Sequence, residues 1–376
     1  MSAQEPVKLL QPLQKFQRFP FHTLDKFETF WMEHQQWLED KGYMLRPRFR
    51  RGWVPSWDVD DARVMPYSVE DSILLRHPFL MDATRISDNE MVMMKRVDHS
   101  WEKGLALYFS TEPLASHPHN HCVPVYEVLQ VPDLDNVVIV IMPLLRQFDN
   151  PRFKTVGEAI EFIRQIFEGL QFMHDHNVAH RDCNYANIMM DPRPTFPEMF
   201  HPGRISRSRD FTSLAKYHTR TWRPTKYLFI DFGLSLKFEP GQDRMVFPIR
   251  GGDRTVPEFM WYGIKRKYDP FPIDVYYLGN LIRENFLQKT KGLEFIEPLI
   301  ADMVQDDPTK RPTMNEVVLR FDKMIRSLSY FRLRSRLVEP DEEKRLKPSI
   351  SRSISHIYRT TIHICTLRSA LPRPPS

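Results

Sequence analysis

Apolar positions along this chain change their period twice. Between residues 23 and 42 they recur at helical spacing. Phe27, Phe30, Trp31, Trp37 and Leu38 share one broad face, with Thr23 as the expected cap and Gly42 as the stop. The Pro- and Arg-rich stretch LRPRFRRGWVPSW that follows has neither helical nor strand period. Residues 1–20 are expected to form a disordered lead, and residues 21–77 an N-terminal extension packed on the main domain. From about Leu80 the period shortens to two. Asp82–Ser87 and Met91–Val97 flank Asp88-Asn89 and read as a hairpin, and Val123–Leu129 and Val137–Met142 read as further strands, with one helix near 100–110. After Asp149 the pattern turns helical. Thr155 and Glu158 predict a capping box whose helix carries Ile160, Ile163, Phe167, Leu170 and Met173 on one face. Helices are also predicted over Ile273–Leu287, Leu293–Gln305 and, from the box at Thr313 and Glu316, to about Ser327. The Arg-, Ser- and Pro-rich residues 329–376 are expected to be a basic disordered tail. A β-rich part followed by a helical part is an α+β organisation.

Composition adds limits. With 41% hydrophobic and 12% aromatic residues the chain can bury a core. Its longest apolar run, Val137 to Leu145, is too short for a transmembrane segment, and the N-terminus lacks the apolar region of a signal peptide. Cys122, Cys183 and Cys365 are far apart and fit free thiols in a reducing compartment. A cytoplasmic or nuclear location is therefore expected. Net charge is +5, but the excess is local. Residues 192–226 hold eight Lys/Arg and two acids; residues 331–376 hold ten and four. Each stretch is thus +6, which leaves 5 − 12 = −7 for the rest. A basic loop and tail on an acidic body argue against nucleic acid as a partner.

The candidate chemistry starts at His180-Arg181-Asp182, with Asn187 five residues past the aspartate and the apolar run Ile188-Met189-Met190 behind it. Asp231-Phe232-Gly233 follows the apolar Tyr227–Ile230. Val256-Pro257-Glu258, Asp274-Val275-Tyr276-Tyr277-Leu278-Gly279 and Asp307-Pro308-Thr309-Lys310-Arg311-Pro312 come next, in that order.

This ordered set resembles the protein kinases over about residues 78–328. The resemblance implies a two-lobed fold, with an N-lobe over about 78–143, a C-lobe over about 144–328 and nucleotide between them. It implies transfer of a phosphoryl group from ATP, with Mg²⁺, to a hydroxyl of a protein substrate. In that reading Asp182 is the base, with His180 and Arg181 completing the catalytic loop. Asn187 and Asp231 hold the metal, and Lys95, closing Val92-Met93-Met94-Lys95, holds the phosphates. Glu102 is the candidate partner of Lys95. Met142 is the gatekeeper, and Leu145 offers a backbone N–H to adenine. Glu258 should pair with Arg311, and Ser235 or Thr255 would carry a regulatory phosphate if the segment 231–258 is modified. More narrowly, GWVPSW (Gly52–Trp57), NHCVP (Asn120–Pro124) and HRDC with NIMMD resemble atypical protein-kinase-like proteins of mushroom-forming fungi.

Three features depart from the family pattern. No Gly-rich loop precedes Lys95, where the only glycines are Gly42 and Gly52. Asn184 stands where a Lys contacting the γ-phosphate is usual. Asn187 and Asp231 are 44 positions apart, and the surplus, about 192–225, is expected to loop out as an insert. A pseudokinase acting as a scaffold and a small-molecule phosphotransferase are the alternatives to an active Ser/Thr-type kinase.

Overall fold

The computed structural model describes residues 22–57, 68–98, 100–249, 251–259, 266–339 and 346–375; for 100–103 and 346–349 the description is of the backbone alone. The lead expected over 1–20 lies outside these residues. Two lobes are present, as the α+β pattern requires.

The first lobe is a five-stranded antiparallel sheet of β1 (Tyr43–Leu45), β2 (Leu80–Arg85), β3 (Met91–Val97), β4 (Glu127–Gln130) and β5 (Val138–Pro143), in the order β1-β2-β3-β5-β4. Strand alternation divides its residues between two faces. Met81, Ala83, Val92, Met94, Ile139 and Ile141 are buried under Trp31 and Leu38. The register pairs Met93 with Met142 and Lys95 with Val140, and all four line the cleft below the sheet. The helix expected near 100–110 is α3 (Ser100–Phe109) once α1 (Lys26–Glu33) and α2 (Gln35–Asp40) are counted before it.

The extension differs from its expected form in three ways. Its helix breaks in two at His34. Asp25, not Thr23, caps α1, through a reciprocal box with Glu28. Residues 43–45 are not an appendage but the edge strand β1, paired to β2 from Tyr43–Arg85 to Leu45–Ala83. The β1–β2 connection therefore runs from 46 to 79, where the family resemblance calls for a short Gly-rich loop. Buried polar groups pin it. Arg48, fully buried, reaches both Glu28 carboxylate oxygens at 3.1 and 2.9 Å, and stacks on Trp53. The motif Gly52–Trp57 wraps Asp71, which accepts bonds from the Trp53 indole and from the backbone and hydroxyl of Ser56. Such groups are tolerated away from water only because each is paired.

The second lobe is built on α4 (Val156–Asp175), which is buried on nearly every side. Its cap is Thr155, but Glu158 does not return the bond to Thr155. One Glu158 oxygen takes the Lys154 N–H and the other takes Thr221. Around α4 lie α5 (Pro270–Ile282), α6 (Glu297–Met303) and α7 (Met314–Arg326), the last with the expected Thr313–Glu316 box. Short strands β6 (Arg146–Gln147), β8 (Ile188–Met190) and β9 (Tyr227–Phe229) form one small sheet. Strands β7 (Val178–Ala179) and β10 (Leu236–Lys237) form another.

The insert between β8 and β9 is ordered rather than looped out, and it touches both lobes. Arg146 of the second lobe lies against the rings of both Phe196 and Phe200. Toward the first lobe, Arg193 reaches Glu90, His201 reaches Glu70, and Arg209 bonds Thr84 and Asn89. The tail expected to be disordered is also corrected. It contains α8 (Tyr330–Arg334) and a C-terminal helix, Leu346–Cys365. Beyond that helix the Ala370 carbonyl lies where a side chain on Gly157 would stand, 1.9 Å from an ideal Cβ, so only glycine permits this docking.

Candidate active site

The catalytic-loop pattern is held from behind by a carboxylate. Asp274, on α5 and fully buried, accepts the backbone N–H of His180 at 2.7 Å and of Arg181 at 2.6 Å. These bonds fix a turn in which Arg181 has φ of 67°. Cys183 packs beside Asp274, and burial pushes its thiol well up, as befits a filler rather than a nucleophile.

His180 is fully buried between the rings of Phe229 and Phe232. Burial depresses its pKa, against the opposing pull of Asp274 and Asp182. Its Nδ1 accepts the Asp182 N–H at 3.3 Å, which leaves Nε2 to donate to the Ile230 carbonyl at 3.2 Å. The histidine thus ties the catalytic loop to the strand end before Asp231.

Asp182 is held by three side-chain or backbone donors. Asn187 gives its Oδ2 a bond of 2.8 Å; Asn184 gives Oδ1 one of 2.6 Å; the Gly252 N–H gives Oδ1 another of 2.8 Å. Gly251 presses closer still, because a Cβ there would lie 2.2 Å from the same oxygen. The Gly251-Gly252 pair was the legible signal for this contact, and the sequence reading passed over it.

Asp231 adopts a left-handed backbone, φ 63°. Its carboxylate meets Lys95 Nζ at 2.9 Å. Burial pushes the Asp231 pKa up, but Lys95 outweighs it and holds the carboxyl below the ordinary range. Ile230 N–H bonds the Asn187 carbonyl at 2.9 Å, so Asn187 lies beside the strand end that leads into Asp231. Both Asn187 side-chain bonds to Asp182 run through Nδ2, which assigns its Oδ1 to the cleft side. An amide oxygen and a carboxylate are hard donors and suit Mg²⁺ with water and phosphate completing the shell.

Between these groups lies a cleft of about 350 Å³. Met93, Val97, Val140 and Met142 form its upper wall, and Met189 and Ile230 its floor. Pro143 and Leu145 line its rear edge. Lys95, Asn187 and Asp231 gather at one end. His77 and Leu80, at the end of the 46–79 connection, also line it, and neither was anticipated. An apolar slot with polar groups at one end suits a flat base with a charged tail. Glu102 falls on α3, but its side chain lies outside the described residues. Asp182 sits beside the cleft, bonded to Asn187.

The remaining candidates are accounted for by short-range partners. Arg181 donates to the carbonyls of Leu234 and Phe247, at 3.2 and 3.0 Å. The Ser235 hydroxyl is buried on the His180 carbonyl, and Thr255 bonds Asp253. Arg311 and Glu258 meet in a buried two-point pair.

Comparison with known proteins agrees with this geometry. A family model described as the protein kinase domain matches residues 80–291. A putative serine/threonine-protein kinase, R436, of Acanthamoeba polyphaga mimivirus is 23% identical over 213 residues. That match covers 50% of this chain and 64% of the viral protein. The serine/threonine-protein kinase CAK1 of Saccharomyces cerevisiae is 26% identical over 191 residues, 49% of this chain and 42% of the yeast protein. The probable serine/threonine-protein kinase KKQ8 of Candida glabrata is 29% identical over 122 residues, 32% of this chain and 12% of that protein. The chain thus matches less than two thirds of each of these relatives.

Proposed function

We propose that this chain, which belongs to the protein kinase domain family, transfers the γ-phosphoryl group of ATP to a serine or threonine hydroxyl of a protein substrate. The observation that carries this reading is the convergence of Asp182, Asn187, Asp231 and Lys95 around one apolar cleft. In the reaction the bond from the γ-phosphorus to its bridging oxygen breaks and a bond to the substrate oxygen forms. Asp182 orients the attacking hydroxyl and takes its proton. Asn184 and the Gly252 N–H hold that carboxylate in place. Lys95, now paired with Asp231, turns to the phosphates when nucleotide enters. Asn187 and Asp231 would hold Mg²⁺, which supplies positive charge to the phosphate oxygens. The apolar walls take the adenine, with Met142 behind it and Leu145 offering its N–H. The motif likeness to atypical kinases of mushroom-forming fungi is part of the same reading.

A second reading, nucleotide binding without transfer, is favoured by one specific feature. The chain between β1 and β2 carries no glycine-rich loop, its only glycine being Gly52, and Asn184 supplies no cation. Intact-mass measurement after incubation with Mg·ATP and a generic basic protein separates the two. Phosphate added by wild type but not by Asp182→Asn supports transfer. Nucleotide binding with no added phosphate across a panel of basic and acidic proteins supports the second reading.

A further inference from the structure

A cavity of about 790 Å³ lies between the C-terminal helix, Leu346–Cys365, and the second lobe. Arg152, Lys154, Lys289, Arg336, Arg352 and Arg359 line it, against two carboxylates, Asp149 and Glu339. Both carboxylates are engaged. Asp149 accepts the Tyr185 hydroxyl; Glu339 holds Arg152 and lies 3.9 Å from Arg352. Glu158 is near Lys154, but its oxygens take the Lys154 backbone N–H and Thr221. Among the described residues neither Lys154 nor Arg359 makes an ion pair. Buried Arg220, close by, lies over the Phe153 ring with its Nε unbonded.

The crowding of cations is felt by the groups themselves. Burial pushes the Lys154 pKa down, and Arg359, Arg220 and Arg352 push it further, against Glu158. His356 is lowered by burial and then by Arg359 and Arg336. The helix also brings hydroxyls. Ser351, Ser355 and Arg359 stand at i, i+4 and i+8, and all three line the cavity. A space of this size takes a small molecule rather than a folded partner. Guanidinium, ammonium and hydroxyl donors together suit phosphate oxygens, and several unmatched cations call for several negative charges. The cavity shares no lining residue with the cleft at Lys95. The acidic run Asp341-Glu342-Glu343 precedes the helix in sequence and lies outside the described residues. We propose that this cavity binds a small polyphosphorylated molecule, with Lys154 and Arg359 as its principal contacts. The proposal is independent of phosphoryl transfer.

The test is calorimetry of the full chain at about 150 mM salt, with inositol hexakisphosphate and inorganic tripolyphosphate as separate probes. One-to-one binding of either supports the site, and the tighter of the two tells a ring-borne cluster of phosphates from a linear chain. The Lys154→Gln/Arg359→Gln variant should bind about tenfold more weakly or worse. Without probe it should melt no lower than wild type, because like charges have been removed. Arg359→Gln alone, on the helix, gives the second reading if the pair melts lower, and should also weaken binding. Lys95→Met should bind the probe as wild type does. The proposal is overturned by no binding of either probe, which would leave the cations to the chain's own carboxylates, or by binding that survives the double substitution. It is equally overturned by binding that Lys95→Met abolishes, which would put the probe in the other cleft. A poly-glutamate peptide of matched charge that binds as tightly would overturn it too, since negative charge alone would then suffice.

Discussion

Arg311 holds Glu258 with two parallel bonds, Nη1 to Oε1 at 2.7 Å and Nη2 to Oε2 at 2.9 Å, across 53 residues of sequence. Both side chains are shut away from solvent, and Arg311 also bonds the carbonyls of Gln305 and Pro272. The pair clamps the end of the segment after Asp231 to the loop before α7. Arg311→Ala leaves a buried carboxylate alone and should cost about 3–5 kcal/mol in urea denaturation. Replacing both residues with apolar ones of similar volume should cost much less. A loss under ~1 kcal/mol for the single variant would show that the clamp is dispensable.

Lys95 and Asp231 predict a titration. With Lys95→Met, burial remains and the ammonium is gone, so the Asp231 carboxyl should titrate at higher pH than in wild type. Its folded value in wild type lies below the unfolded one. The stabilisation is therefore present above the unfolded-state value and is lost as pH falls through the folded one. The variant should lack that acid-side slope. Carboxyl-carbon NMR checks the shift directly, and an unchanged Asp231 titration would remove Lys95 as its cause.

Gly251 predicts a kinetic effect without a fold defect. An added methyl would need the space of Asp182 Oδ1, so Gly251→Ala must displace either the loop or the carboxylate. Single-turnover phosphoryl transfer should fall about 10- to 100-fold while nucleotide affinity holds. Equal rates would mean that the loop moves away from Asp182 during turnover.

Arg209 predicts a local change in dynamics. It donates to the Asn89 carbonyl, the Asn89 side chain and the Thr84 hydroxyl, each at 2.9 Å. Arg209→Ala should speed amide exchange in the hairpin between residues 84 and 90 by about tenfold, with little change in the second lobe. Exchange within twofold of wild type would refute a tie between the lobes at this point.

Much of the site was legible because its signals are local. The spacing from Asp182 to Asn187 fits one short turn. The box at Thr313 and Glu316 closes within four residues. The β2–β3 hairpin pairs neighbours, and strand alternation put Lys95 opposite Val140 once its partner strand was known. Where local reasoning failed, a distant group had won. Thr23 yielded to Asp25 because Glu28 closes the box there while also gripping Arg48. Glu158 left the Thr155 backbone because Thr221, 63 residues on, takes one of its oxygens.

By itself, then, the sequence determined the two-part α+β order and the pairing expected of Glu258 with Arg311, and it named Asp182, Asn187, Asp231 and Lys95 as the candidate set. Tertiary structure alone decided that β1 joins the sheet from within the extension and that His77, ahead of β2, lines the cleft. It also decided that Asp274 holds the catalytic-loop amides, that the insert ties the lobes, and that the last helix turns its isoleucines outward. The physical reason is the same in each case. Periodicity states which face of a segment is apolar, and caps state where it stops. Neither states which remote donor, carboxylate or surface will satisfy it, because that depends on groups brought together only when the chain has closed.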